Sequence, residues 1–441
     1  MVQFFKASKV KHESMHSVLH ISRLDHQGNG VALHEGQTCF VRGALAGESV
    51  EVKLTQRKKR YTHAHVTQVI QASPHRTVPA CRFYKQCGGC DVQHMTYENQ
   101  VHYKAEALAL LLKKFADVTL DESPHLIRGN PWHYRRRARL ATLFNKKTQK
   151  LQLGFRAKSQ AQIVEIDTCP VLVESLNDMI VPLRTCLQQL RGKRYLGHVE
   201  LLEDAQAHWL LLRVTQEMIA ADKQLIFDFC VQHDMQALLL HADHQVEYLT
   251  SVKQPSYRLG SLDIAFLPGH FVQVNEAVNQ QMVQQAIDWL PLTPETSVLD
   301  LFCGVGNFSL PIAQKVKKVV GVEGIATVVQ QARDNAASNK LTNISFYQAN
   351  LNDFRFHEKW VQSYDIVILD PSREGAAYVV SQIHAFAPEY VLYVSCDPVT
   401  LARDTKVLLA EKYHLIQSSV MDMFPQTRHF ESMLLFARQK P

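Results

Sequence analysis

The sequence predicts an α/β protein in which a small β-barrel and a mixed α/β segment precede a doubly wound, largely parallel sheet. Two observations carry the prediction. From Leu267 onward, short apolar runs (SVLDLF, KVVGVEG, ISFYQAN, YDIVILD, YVLYVSC) alternate with helical stretches through NFSLPIAQ and ATVVQQARDNAASNK, as in repeated β-α units. From about Val18 to Val69 the runs are all strand-like (VLHISRL, GVALHE, TCFVRG, ESVEVKLTQ, YTHAHVTQVI). They are broken by Gly28-Asn29-Gly30, Glu35-Gly36 and Ala46-Gly47 at the short spacing of a barrel.

At 441 residues the chain can hold two or three domains. We place the barrel at 12–72, a central domain at 73–266 and the doubly wound domain at 267–441. Ser73-Pro74 and Val78-Pro79 mark the first linker. A helix over 93–125 has an apolar face of Tyr97, Val101, Tyr103, Leu108 and Leu111-Leu112, and is expected to pack on the C-terminal domain. The central segment holds β-rich stretches such as ARLATLFN, KLQLGFRA, HWLLLRVT and ALLLHA. Two final strands, HLIQSSVMDMF and ESMLLFAR, flank FPQTRHF.

Hydrophobic residues at 46% and charged residues at 20% are ordinary for a soluble globular chain. A net charge of +6 permits a polyanionic partner without requiring one. The N-terminal stretch MVQFFKASKVKHESMHS lacks the apolar core of a signal peptide. No apolar run approaches the roughly 20 residues needed to span a bilayer, so the cytoplasm, without membrane association, is the expected location, and a monomer the expected state.

Beside the barrel strands, Arg57-Lys58-Lys59-Arg60-Tyr61 sets four cations next to a ring. That composition suits phosphate contact and base stacking, or a solvated hairpin tip, and the charge run alone does not separate the two. Further on, Trp132-His133-Tyr134-Arg135-Arg136-Arg137-Ala138-Arg139 interleaves aromatics with arginines. On alternating strand positions such guanidinium groups would track phosphates while rings stack unpaired bases.

The segment Val298-Leu299-Asp300-Leu301-Phe302-Cys303-Gly304-Val305-Gly306-Asn307-Phe308 runs from a strand through a glycine turn into a helix. It lacks the third glycine of a dinucleotide fingerprint, which a pyrophosphate needs. The aminoacyl end of S-adenosylmethionine carries no phosphate and fits the shorter turn. Glu323 ends the next strand, where a carboxylate can accept both ribose hydroxyls. Asn350 ends the third and is placed to meet an adenine edge, Asp370 ends the fourth, and Cys396 the fifth. Ligands of open α/β sheets bind at these strand ends. A strand-end cysteine taken alone is more often packing than nucleophile.

Nine cysteines, an odd number, argue against a disulfide framework. Cys81, Cys87 and Cys90 crowd together, with Cys169 before Pro170. Four thiolates at this spacing fit either a structural zinc or an iron–sulfur cluster.

Taken together, Phe271-Val272-Gln273-Val274-Asn275, DLFCGVGNFSL, Asp370-Pro371, SCDP and DMFPQTRHFE resemble the RNA uracil-5-methyltransferases. With the barrel and the cysteine cluster added, the resemblance spans nearly the whole chain. It is closest to the bacterial branch that methylates uracil 1939 of 23S ribosomal RNA. It implies a Rossmann-like methyltransferase domain behind an OB-like TRAM barrel. It implies Cys396 as nucleophile, Glu431 as base, and Gln273, Phe302, Asn307, Glu323, Asn350 and Asp370 as cofactor contacts. Cys81, Cys87, Cys90 and Cys169 match the ligands of a [4Fe-4S] cluster in a central RNA-binding domain. Ser372 stands where many relatives carry a second proline.

The chemistry agrees with those assignments. Uracil C5 is a poor nucleophile until a thiolate adds to C6 and makes C5 electron-rich, and a base must then take the C5 proton. The target must leave its stack to be reached. A cytosine-5 methyltransferase would place a cysteine beside the proline of the fourth-strand motif, which here reads DPSR. An amino-group methyltransferase would show an Asp/Asn-Pro-Pro-aromatic signature, which is missing. A non-catalytic RNA-binding or electron-transfer module would have no use for the Cys396–Glu431 pair. Another ribosomal uridine, or a transfer-RNA uridine, remains the alternative target.

Overall fold

The structure is a computed structural model that describes residues 16–158, 162–243, 245–250, 254–267 and 269–439. Residues 12–15 of the expected barrel, and nearly all of the stretch read as lacking a signal sequence, lie outside them. The chain divides into two compact units, Met1–Val78 with His94–Asn99, and Pro79–Gln93 with Gln100–Pro441. The cysteine segment, the central sheet and the C-terminal sheet thus share one unit.

In the first unit, β1 (His16–His20), β2 (Arg23–Leu24), β3 (Gly30–His34), β4 (Gln37–Arg42), β5 (Ser49–Arg57) and β6 (Tyr61–Gln71) form one sheet in the order β1-β5-β6-β4-β3-β2. Alternate apolar residues of these strands point inward, as the period-2 pattern dictates. Ile21, Cys39, Val41, Ala44, Val50 and Val52 are fully buried at its centre. Gly30 is required by packing, since a Cβ there would lie 2.8 Å from Ile21. Phe40, Tyr61 and His63 form a ring cluster with centroids 5.3 to 5.8 Å apart, next to the basic turn at 57–60.

Helix α1 (Tyr97–Ala116) is shorter than the sequence suggested. It ends where Asp117 adopts φ 57, and the chain continues into β7 (His125–Ile127). Two β-branched residues, Val118 and Thr119, and then Ser123-Pro124 favour extended chain there. The central sheet follows. It contains β8 (Arg137–Asn145), β9 (Lys150–Arg156) and β10 (Ile163–Glu165), then helices α2 (Glu174–Asp178) and α3 (Ile180–Gln189). After them come β11 (Leu196–Glu203), β12 (His208–Val214), α4 (Ala220–Gln232), β13 (Met235–Leu240) and β14 (Val246–Tyr248). The strand order is β10-β9-β8-β11-β12-β13-β14. The two-stranded β15 (Ser256–Leu259) and β16 (Leu262–Ala265) lead into α5 (Glu276–Trp289).

The C-terminal sheet is built from β17 (Ser297–Leu301), α6 (Ser309–Ala313), β18 (Lys318–Glu323), α7 (Ala326–Ser338), β19 (Ile344–Gln348), β20 (Ile366–Leu369), α8 (Ala377–Ser381), β21 (Tyr390–Ser395), α9 (Pro398–Ala410), β22 (Tyr413–Met421) and β23 (Glu431–Arg438). Its order is β19-β18-β17-β20-β21-β23-β22-β7. The first five strands pair in parallel; β18, β17, β20 and β21 bury both faces, which explains their Val/Ile/Leu runs, while β19 at the edge is only partly buried. The last two form an antiparallel hairpin. The sequence did not reveal that β7, some 290 residues upstream of β22, closes the edge of this sheet in parallel with it.

Candidate active site

The strand ends of this sheet gather the site. At the end of β17, Phe302 (φ 64), Gly304 (φ 54) and Gly306 (φ 101) make a left-handed turn. A Cβ on Gly306 would lie 2.8 Å from Leu310, so glycine is needed for conformation and for space. Asp300 is fully buried beneath the turn, and Ser309 donates a hydrogen bond to it. Burial raises its carboxyl to about 7.

The predicted cofactor residues divide into two groups. Gln273 is 9% exposed, and its Oε1 has no hydrogen-bond partner among the described residues; Asp300 Oδ1 is in the same state. Both acceptors are free to take a hydrogen bond from a bound group. Gln273 lies in an irregular segment, and Asn275 two residues on caps α5 by accepting from Val278 N (3.3 Å). Glu323 Oε1 accepts from Gly324 N (2.8 Å) and Ile325 N (3.1 Å), so one oxygen serves the start of α7. Asn350 is exposed two residues beyond β19, and its side chain accepts from Asn352 N (3.1 Å). Asn307 is turned into the protein. Its amide exchanges hydrogen bonds with Asn279 (3.0 and 3.1 Å) and accepts from Tyr257 Oη (3.0 Å), which fixes the glycine turn from beneath.

Cys396 follows β21, where Asp397 caps α9 by accepting from Val399 N (2.9 Å) and Thr400 N (3.2 Å), and Pro398 takes the first helical turn. Ser395 pairs with Ser432 in the antiparallel β21–β23 ladder. The next residues outward, Cys396 and Glu431, are therefore opposite each other. Glu431 is 4% exposed and Cys396 half-buried. Burial, and then the Asp370 carboxylate, raise Glu431 to about 8. Burial, then Glu431 and Asp370, hold the Cys396 thiol up at about 12. Burial, with Asp300 nearby, raises Asp370 to about 7. Arg373 opposes these effects on Cys396 and Glu431, a role the sequence did not single out. The loop bearing Arg373 is tied to α9 by buried Asp404, which accepts from Ala376 N (2.8 Å) and Tyr393 Oη (2.6 Å).

A thiol and a carboxyl thus face each other at the ligand edge of an α/β sheet. Two family descriptions match the chain: tRNA (uracil-5-)-methyltransferase over residues 96–439 and TRAM domain over residues 19–67. The chain belongs to the uracil-5-methyltransferase family. It is 45% identical over 439 residues to a Shewanella amazonensis protein named 23S rRNA (uracil(1939)-C(5))-methyltransferase RlmD, covering 99% of each chain. A protein of the same name from Shewanella piezotolerans is 44% identical over 441 residues, again covering 99% of each. The crystal structure of Pyrococcus abyssi tRNA (uracil-54, C5)-methyltransferase in complex with S-adenosyl-L-homocysteine shares the fold. Its TM-score is 0.73 at 24% identity, covering 95% of this chain and 99% of that one.

The four cysteines expected as ligands are near enough to influence one another. Burial, then Cys169, Cys87 and Cys81, act on the Cys90 thiol, held at about 12; burial raises Cys169 to about 11. Gly89 N donates to Cys87 Sγ (3.4 Å), and the backbone of Val171 and Leu172 donates to Cys169. Cys81 N is held by Gln93 (3.1 Å) and Cys169 N by Asn177 (2.7 Å). Among the described residues, no group of three or more His, Cys, Asp or Glu side chains has the arrangement that holds a metal ion.

The arginine stretch differs from its expected role. Arg136 is 4% exposed, donates to Gln273 O (3.1 Å) and pairs with Glu276 (3.2 Å). Arg137 pairs with Glu200 (2.8 Å) and donates to His270 O. Tyr134 is buried and donates to Pro425 O (3.0 Å). Within this stretch Arg139 is the arginine left largely exposed, at 57%. The segment crosses between sheets, so its cations hold the 270–276 segment in place instead of forming an open phosphate track. No helix among the described residues is long and apolar enough to cross a membrane.

Proposed function

We propose that this chain methylates C5 of a uridine in 23S ribosomal RNA, at the position numbered 1939 in its relatives. The apposition of Cys396 and Glu431, one step beyond the Ser395–Ser432 pair, carries the reading. S-adenosylmethionine supplies the electrophilic methyl group when bound. Gln273, Glu323, Asp370 and the glycine turn after Phe302 would hold it, with Asn350 at the adenine end and Asn307 bracing the turn.

Cys396 Sγ adds to uracil C6, and the electron pair of the C5–C6 double bond makes C5 nucleophilic. C5 takes the methyl group. Glu431 then accepts the C5 proton, the C5–H electron pair re-forms the double bond, and the C6–S bond breaks with its pair on sulfur, releasing Cys396 as thiolate. A carboxyl raised toward neutrality matches this task, since a general base works best with a pKa near the working pH. Arg373 would stabilise both the thiolate and the carboxylate.

The reading also includes RNA contact through the barrel. The Phe40–Tyr61–His63 rings beside Arg57–Arg60 support it, because rings and cations together bind single-stranded nucleic acid. For the cysteines we propose a [4Fe-4S] cluster. Main-chain N–H groups donating to Cys87 and Cys169 sulfurs support ligation, since such donors favour thiolate over thiol. The cluster would brace the segment around it, and no step of methyl transfer needs an electron.

RNA carrying 5-fluorouridine tests the chemistry, because fluorine at C5 cannot leave as a proton. With labelled cofactor, a covalent protein–RNA adduct is expected from the wild type and none from Cys396→Ala. Absence of both adduct and methyl incorporation in the wild type overturns the reading. Mapping 5-methyluridine in ribosomal and transfer RNA from a deletion strain assigns the target.

A further inference from the structure

Glu431 is the first residue of β23, and segment 422–430 joins it to β22. Glu431 pairs with Met421 at the last rung of the β22–β23 ladder, and the end of a ladder frays unless the connection beyond it is held. Here the connection is held from outside. Lys104 of α1 donates to Asp422 Oδ1 (2.6 Å), both side chains fully buried, and to Phe424 O (3.3 Å). Tyr134 Oη donates to Pro425 O.

Gln426 is the most tightly held. It is 2% exposed at φ 69, a conformation that residues with side chains rarely adopt without support from their surroundings. Its N donates to Gln100 Oε1 (3.0 Å), and its Oε1 accepts from Gln100 Nε2 (3.0 Å). Its carbonyl accepts from Asp91 N (3.1 Å) and Val92 N (3.2 Å), the two residues after Cys90. Gln100 Nε2 also donates to Val92 O (3.2 Å). A reciprocal glutamine pair therefore binds α1, the cysteine segment and the loop before Glu431 into one unit.

We propose that Gln426 and Gln100 are positioning residues for the proton-removal step: they hold the Glu431 carboxyl at the C5 hydrogen. Cys396 is held separately, by β21 and the capped start of α9. Loosening the glutamine pair therefore affects only the last stage. Thiol addition and methyl transfer proceed, and the methylated adduct waits for a displaced base. A displacement of about 1 Å can cost about 10²-fold in rate.

This inference rests on the proposed methyl transfer, and its test separates the two. Wild type, Glu431→Gln, Gln100→Ala and Gln426→Gly are incubated with a 23S ribosomal RNA fragment spanning the target and methyl-labelled S-adenosylmethionine. Glycine accepts the backbone conformation at 426, so that variant removes the side chain without adding strain. Both glutamine variants, like Glu431→Gln, are expected to accumulate denaturant-stable labelled adduct. Their kcat falls about 10²-fold, while S-adenosylhomocysteine binding stays within about twofold of wild type.

Turnover at the wild-type rate in both variants overturns the inference. So does loss of adduct and cofactor binding together, which marks a structural role only. If Glu431→Gln itself leaves no adduct, the assigned chemistry fails, and this inference with it.

Discussion

Cys396 and Glu431 face each other across adjacent antiparallel strands, one residue beyond the Ser395–Ser432 pair. The β21–β23 register sets them opposite each other, and the tied-down 422–430 connection holds the Glu431 end of its strand. A one-residue slip would send every side chain of β23 to the opposite face. Burial raises the proton affinity of both groups; Glu431 and then Asp370 add to it at Cys396, and Asp370 adds to it at Glu431.

That electrostatic crowding predicts a pH profile. As the proposed base Glu431 must be ionised, and burial, with Asp370 beside it, raises its carboxyl to about 8. We expect kcat/KM to rise with pH and to change slope near that value. Arg373 lowers the carboxyl, so Arg373→Ala should move the change in slope to higher pH. An unmoved profile would show that the guanidinium has no influence on the base.

Function at this position is in tension with stability. The ordinary Glu value is 4.5 and the folded value about 8. Below 4.5 both folded and unfolded states hold the proton. Between 4.5 and 8 the unfolded chain releases it while the folded chain keeps it, so stability from this group declines as pH rises. Glu431→Gln removes the titration. Its melting temperature should exceed that of wild type by a margin that widens from about pH 5 to about pH 8. A constant margin would contradict the burial-driven shift.

Lys104 and Asp422 are both fully buried, 2.6 Å apart. Lys104→Met would strand the carboxylate, and we expect a loss of about 3–5 kcal/mol in urea unfolding. Adding Asp422→Leu should recover most of it, because well-packed apolar pairs often replace buried ion pairs without loss. Failure to recover would mean that the pair does more than neutralise charge.

The cysteines offer a direct assay. Protein purified without oxygen should contain about four irons per chain with matching acid-labile sulfide. Cys81→Ser, Cys87→Ser, Cys90→Ser and Cys169→Ser should each reduce that content. One zinc per chain, lost in the same variants, would replace the cluster with a structural ion.

The sequence by itself determined the local elements and the order of the polar groups at the strand ends. The β-α alternation after Leu267, the glycine turn after Phe302 and the order of polar strand ends are short-range patterns, and each follows from periodicity or backbone conformation. What the sequence could not show was set by pairing between distant segments. The strand β7 joining β22, Lys104 meeting Asp422 and Gln100 meeting Gln426 each link residues roughly 300 positions apart. Arg136 and Arg137 read as exposed cations until Glu276, Glu200 and the carbonyls of Gln273 and His270 enclosed them. A side chain's charge is written in the sequence. Whether that charge meets solvent, a substrate or another buried group depends on which surfaces fold against it, and only tertiary packing decides that.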